Sequence, residues 1–177
     1  RQVIVGMAVG IVRDGRIYHA RGYGYTDLDA RVPVTSNTVF RWASVSKTLT
    51  ATAVLQLDEQ MPGFGLNDRV SEHVLYWPDD GNKGRIRIWQ LLSNRSGIIH
   101  YTQKKHCHLN RSPGYDRRRH ANEFYDARQG VAVFGGQPLC FEPGTHYKYS
   151  TFGYSLLGAA IEGASGMRYT DWIEHNI

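Results

Sequence analysis

Residues 44–60 constrain this chain most. Val45, Leu49, Ala53, Val54 and Leu57 form an apolar stripe at helical spacing, which predicts a helix from about Ser44 to Gln60. Thr48, Thr50 and Thr52 lower its intrinsic propensity. Such a helix persists only when packed on several sides, so we expect it at the middle of a domain. Met61-Pro62-Gly63 ends it. Ser44 and Lys47 stand three residues apart at its start, and residues at that spacing are neighbours on one helix face. A serine hydroxyl is a poor nucleophile until a neighbouring group takes its proton, and a lysine one turn away can begin that.

The pair alone decides little. Ten serines and five lysines in 177 residues predict ~0.3 such pairs by chance. The ordinary alternative is a serine cap followed by an exposed lysine. The rest of the chain must choose.

Val3–Val12 reads as a buried strand, and Asp14-Gly15 is a strong two-residue hairpin signal before a returning strand over Arg16–Tyr25. Asp27–Asn37, polar and carrying Pro33, fits a loop. Gly65–Gly84 is loop-rich, a short helix covers Ile88–Leu92, and Ser93–Gly97 is a turn. Ala121–Val133 has weak helical character. Glu142-Pro143-Gly144-Thr145 is a turn. Tyr154, Leu157, Ala160, Ile161 and Ala164 make a second helical stripe closed by Gly166, and a last helix starts near Tyr169. Trp172 and Ile173 on it still need a partner.

With 41% hydrophobic residues and no long apolar run, the composition is globular and excludes a transmembrane helix. The first residues alternate like a strand and lack the apolar core of a leader. The net charge of +5 is concentrated between Gln103 and Glu123, where Lys104, Lys105, Arg111, Arg117, Arg118 and Arg119 face a single acid, Asp116, before Glu123. We read this as a solvated lobe. An anionic partner such as a cell-wall polymer or phospholipid is the functional alternative. No nucleic-acid motif is present, so no nucleic-acid partner is expected, and contact with a membrane surface stays open. Cys107 and Cys140 are too few for a disulfide scaffold, though one bridge is possible in an exported protein. His106-Cys107-His108 lacks metal-ligand spacing and a second cluster, so no metal and no cofactor are expected. The glycosylation-like triplets Asn94-Arg95-Ser96 and Asn110-Arg111-Ser112 are too short to carry a function. His100, His106, His120 and His146 are loop residues with no assigned role.

Four stretches stand together in order: Gly22-Tyr23-Gly24-Tyr25, Phe40 through Lys47, Leu91-Leu92-Ser93-Asn94-Arg95-Ser96-Gly97-Ile98, and Pro143-Gly144-Thr145 leading into Tyr149-Ser150-Thr151 and the helix after it. Together they resemble the serine β-lactamase-related family of class C β-lactamases, D-alanyl-D-alanine carboxypeptidases, D-aminopeptidases and esterases. The resemblance covers nearly the whole chain. It implies an α/β (α+β) fold of the β-lactamase and penicillin-binding-protein type, an antiparallel sheet plus a helical lobe. Residues 1–40 would supply the first sheet strands, and 41–177 the helical lobe. It also implies an extracytoplasmic setting. Carried over residue by residue, Ser44 matches the nucleophile, Lys47 its partner and Tyr149 the catalytic tyrosine. Thr151 falls at the substrate-binding position where the family usually has asparagine. The Tyr-Ser-Thr motif is similar to that of the mitochondrial β-lactamase-like proteins and their bacterial relatives. Neither Lys-Thr-Gly nor His-Thr-Gly, the family's third motif, occurs in residues 1–177. We therefore expect a chain truncated before that motif, inactive and prone to aggregate by itself.

The implied activity is a serine hydrolase forming an acyl-enzyme with an amide or ester of a small molecule or peptide. A catalytically inert binding or assembly protein on the same fold is the alternative. Free tyrosine and lysine have pKa values of about 10 and 10.4, and bringing Tyr149 to neutrality takes roughly 4 kcal/mol. A helix N-terminus supplies at most about 2 kcal/mol. A lysine cation ~4 Å away supplies ~4 kcal/mol at an effective dielectric near 20. Lys47 is thus the larger influence, and the pair titrates together. Which of the two takes the Ser44 proton is open at this level.

Overall fold

The computed structural model describes residues 4–79, 81–101 and 126–177. The chain divides into two compact units, Arg1–Ala43 and Ser44–Ile177. The basic stretch, Cys107, His106, His120 and the start of the expected 121–133 helix lie outside the described residues.

The first unit is a three-stranded antiparallel sheet in the order β1-β2-β3, with β1 Gly6–Arg13, β2 Arg16–Asp27 and β3 Val32–Pro33. Asp14 and Gly15 both take positive φ, 51° and 72°, the geometry of the tight hairpin turn whose twist matches its strands. Met7 pairs with Tyr23 and Ile11 with His19, and the register shifts by one after Ile11. Two expectations need correction. The segment read as a loop contains β3, because Pro33, which lacks an N–H, is tolerated on an edge strand. The first strand is not buried: Ile11 is 46% and Val12 70% exposed. Two long strands and a two-residue third form one layer, and a strand is buried only when a second layer covers it.

The second unit is helical. A 3₁₀ turn, Ala43–Val45, leads into α1 (Ser46–Gln60), so Ser44 precedes the α-helix instead of starting it. The threonine hydroxyls donate back along their own helix, Thr48 to Val45 O, Thr50 to Ser46 O and Thr52 to Thr48 O, and Thr50 Oγ1 also lies 2.8 Å from the Tyr169 hydroxyl. Short α2 (Val70–His73), a 3₁₀ turn at Lys83–Arg85 and α3 (Ile88–Leu92) follow. α3 coincides with its predicted span. α4 runs over Ala127–Gly135, where Asp126 accepts from Gln129 N. α5 (Thr151–Ser165) stops before Gly166, and α6 covers Tyr169–Asn176.

The hub of this unit is α5, not α1. α1 buries one face, Thr50, Ala53, Val54 and Leu57, while Leu55 stays exposed. α5 buries Phe152, Gly153 and everything from Leu156 to Ile161, and it packs on α1, α2, α3, α4 and α6. Its small residues Gly153, Gly158, Ala159 and Ala160 let neighbours approach from several sides. Phe134 stacks on Phe152 at 4.6 Å, and Trp77 packs 6.0 Å from Phe134. Burying each Leu or Ile of this core contributes ~1.5–3 kcal/mol. Trp172, expected to lack a partner, is only 8% exposed and belongs to the same core.

Candidate active site

Ser44 lies in the 3₁₀ turn, and Ala43 before it takes a left-handed φ of 46°, which costs a non-glycine residue roughly 1–2 kcal/mol. One turn later Lys47 Nζ donates to Ser44 Oγ at 3.3 Å, the contact expected from the spacing. Tyr149 comes from the far end of the unit, and its hydroxyl lies 2.6 Å from Ser44 Oγ. Thr151, the first residue of α5, accepts from Lys47 Nζ at 3.5 Å. All four residues singled out from the sequence therefore meet in one cluster.

The backbone explains why Tyr149 arrives there. Residues 143–150 are laced to the turn after α3. Gly144 N donates to Arg95 O at 2.8 Å and Lys148 N to Asn94 O at 2.8 Å. Ser150 N donates to Asn94 Oδ1 at 3.0 Å, and Ser150 Oγ donates to Ile99 O at 2.8 Å. Asn94 has φ 55°, a conformation its short polar side chain tolerates. The Asn94-Arg95-Ser96 triplet is thus a brace for Tyr149: the Asn94 amide is occupied by Ser150, and Ser96 is buried.

Lys47 Nζ lies 4.9 Å from the Tyr149 ring centre and 5.5 Å from that of Tyr154, within cation–π range. No ion pair among the described residues includes Lys47. Burial alone would raise the Tyr149 pKa. Hydrogen bonding from Lys47 and Ser44, the Lys47 charge and Thr151 outweigh it, and the phenol lies below its ordinary value of 10.0. Tyr154 moves the other way, raised by burial and then by Tyr149, and its hydroxyl donates to Leu92 O at 2.9 Å. Two tyrosines beside one lysine are thereby differentiated, one eased toward phenolate and one held as a neutral phenol.

Three contributors escaped the sequence: His100, Asn94 and Tyr154. His100 Nδ1 accepts from Thr151 N at 3.1 Å, and its ring meets Tyr149 edge-on at 5.4 Å. Burial lowers its pKa, and the Lys47 and Lys148 charges add to that. His100 carries no periodic or motif signature in a single sequence; Asn94 stands inside a quoted stretch without a role, and Tyr154 reads there only as a member of the apolar stripe. Elsewhere, ligand atoms of Asp68, Glu72 and His73 gather within 4.8 Å, but they are engaged locally. Asp68 Oδ2 accepts from Gly65 N and pairs with His73 Nε2, and Glu72 Oε1 accepts from Arg69 N. Cys140 is disulfide-bonded. No helix among the described residues is long and apolar enough to cross a membrane.

The family model described as Beta-lactamase matches residues 1–177. The chain belongs to the beta-lactamase family. This beta-lactamase-family chain is 28% identical over 224 aligned positions to the human "Serine beta-lactamase-like protein LACTB, mitochondrial", covering 96% of the chain and 41% of that protein. The octameric penicillin-binding protein homologue from Pyrococcus abyssi superposes with TM-score 0.73 at 26% identity, covering 98% of the chain and 38% of the homologue. EstCE1, described as a hydrolase with promiscuous acyltransferase activity, superposes with TM-score 0.73 at 27% identity, covering 97% of the chain and 45% of EstCE1. The chain thus spans less than half the length of each. The fold is of the β-lactamase and penicillin-binding-protein type, mixed helix and antiparallel sheet, in a family whose members include serine hydrolases.

Proposed function

We propose that the complete protein is a serine acyl hydrolase acting on an amide or ester of a small molecule or peptide. The observation that carries this is the 2.6 Å contact between Ser44 Oγ and the Tyr149 hydroxyl, with Lys47 Nζ 3.3 Å from the same Oγ. As Ser44 Oγ attacks the carbonyl carbon, its proton passes to the Tyr149 phenolate. Lys47 stays cationic, orienting Oγ and stabilising the phenolate. Collapse of the tetrahedral intermediate breaks the bond to the leaving nitrogen or oxygen, which takes the proton back from Tyr149. Water then attacks the acyl-Ser44 ester and gives its proton to Tyr149; collapse breaks the bond to Ser44 Oγ, which takes that proton back as the acid leaves, restoring the Tyr149 phenolate. The Ser44 backbone N–H serves as one oxyanion donor. Thr151 borders the substrate's amide. The shorter contact from Tyr149 and its lowered pKa favour it over Lys47 as the base.

The description of EstCE1 as a hydrolase with acyltransferase activity supports an acyl-enzyme route. The test is incubation of the full-length protein with a fluorophosphonate, followed by peptide mass analysis. We expect an adduct on the Ser44 peptide, and none in Ser44→Ala. Labelling elsewhere, or none in a folded full-length protein, would overturn the reading in favour of an inert binding protein.

A further inference from the structure

The imidazole of His100 is unaccounted for by the mechanism, although it touches two members of the site. Its Nδ1 accepts the Thr151 backbone N–H at 3.1 Å. Thr151 opens α5, and the first N–H groups of a helix have no partner within it. Ser150 Oγ takes one, from Gly153 at 3.0 Å, and His100 takes another from outside. The bond requires an unprotonated Nδ1, so the ring is neutral with its hydrogen on Nε2. The same ring packs edge-on against Tyr149, and Thr151 Oγ1 in turn receives Lys47 Nζ. One side chain therefore fixes Tyr149 on one side and the lysine's acceptor on the other.

We propose that His100 is a positioning residue for the Ser44–Lys47–Tyr149 group: its neutral imidazole pins Thr151 and the Tyr149 ring, and its protonation releases them. This rests on the acyl-hydrolase reading above. Among the described residues, the charged and titratable groups facing the ring are Lys47 from α1, Lys148 and Tyr149 from the extended segment before α5, and the adjoining Tyr101. None of these is a carboxylate. A proton on Nδ1 would set donor against donor at Thr151. It would also add a third positive charge beside two lysines, at the positive end of the α5 dipole. Burial and both lysine charges already push the His100 pKa below 6.5. The site is thus assembled at neutral pH and loosened in acid.

The experiment uses the full-length protein with ¹⁵N-histidine and ¹³Cζ-tyrosine labels, alongside fluorophosphonate acylation rates from pH 5 to 9. We expect the Nε2–H tautomer for His100. Its titration, below pH ~6.5, should coincide with a loss of acylation additional to that caused by protonating Tyr149. His100→Asn keeps an acceptor one bond from Cγ but cannot titrate. It should retain acylation at neutral pH within about threefold and lack the additional acid loss. His100→Ala should lower acylation by about 10–100-fold, as loss of an orienting partner typically does, and should shift the Tyr149 phenol titration. An Nδ1–H tautomer, or identical pH profiles for wild type and His100→Asn, would overturn the proposal. If Ser44 never acylates while the tautomer and the Tyr149 titration respond to His100 as described, the anchor stands and only the hydrolase reading falls.

Discussion

Ser44 and Tyr149 are 105 residues apart in the chain, and their side-chain oxygens are 2.6 Å apart. Nothing local creates that contact. It exists because the turn after α3 grips residues 144–150 through Asn94, Arg95 and Ile99, delivering the Tyr149 hydroxyl to the turn that precedes α1.

Lys47 is the residue whose removal should move Tyr149 furthest. In Lys47→Ala both the hydrogen bond and the cation that lower the phenol are lost, while the burial that raises it remains. The Tyr149 titration should therefore rise, with the Ser44 and Thr151 hydrogen bonds still opposing burial. The phenolate absorbance difference between Lys47→Ala and its Tyr149→Phe double variant would show this. Acylation of Ser44 should fall by about 10²–10³, the usual loss for one transition-state hydrogen bond.

The wild-type pH profile has a definite sign. Tyr149 acts as base only when deprotonated, so acylation rises with pH around a midpoint below the ordinary tyrosine value of 10.0. Acylation rates across pH 5–10 should show this rise. A profile with its midpoint above 10.0 would mean that the lowered phenol is not the base.

Thr151 bears on substrate choice. Its hydroxyl is shorter than an asparagine amide and already accepts from Lys47. A chromogenic cephalosporin should turn over poorly beside activated esters or short peptides. Thr151→Asn should raise cephalosporin turnover, with a missing polar contact costing ~10²–10³ in rate. Efficient wild-type cephalosporin turnover would contradict this.

Asn94 should matter for stability as well as for the site. Asn94→Ala leaves the Ser150 N–H without its acceptor, a loss of about 1–3 kcal/mol. It also places alanine at φ 55°. Asn94→Asp keeps the acceptor. Urea unfolding should show a large fall in midpoint for alanine and a small one for aspartate.

Gly97 has two reasons to be glycine. Its φ is 80°, and a Cβ there would overlap the Phe141 carbonyl oxygen. Gly97→Ala should destabilise by ~1–3 kcal/mol. Since Gly97 O also receives the Cys140 N–H at 2.7 Å, the change should slow acylation too. A calorimetric scan and an acylation rate check the two effects separately.

What residue order alone determined here is local chemistry and periodicity. The Asp14-Gly15 turn, the Ile88–Leu92 helix and the Ser44–Lys47 contact depend on residues within four positions of one another, where spacing and geometry are nearly the same thing. Motif order carried recognition one step further, bringing Tyr149 and Thr151 into view before any contact was known. Tertiary structure decided the rest. α5 is the hub because its glycines and alanines admit five neighbours, and periodicity records an apolar stripe but not how many partners cover it. His100 and Asn94 became part of the site through hydrogen bonds to residues 51 and 56 positions away. A single imidazole or amide in a loop carries no mark of such a partner, because its partner is fixed by chain closure and packing, not by the residues beside it.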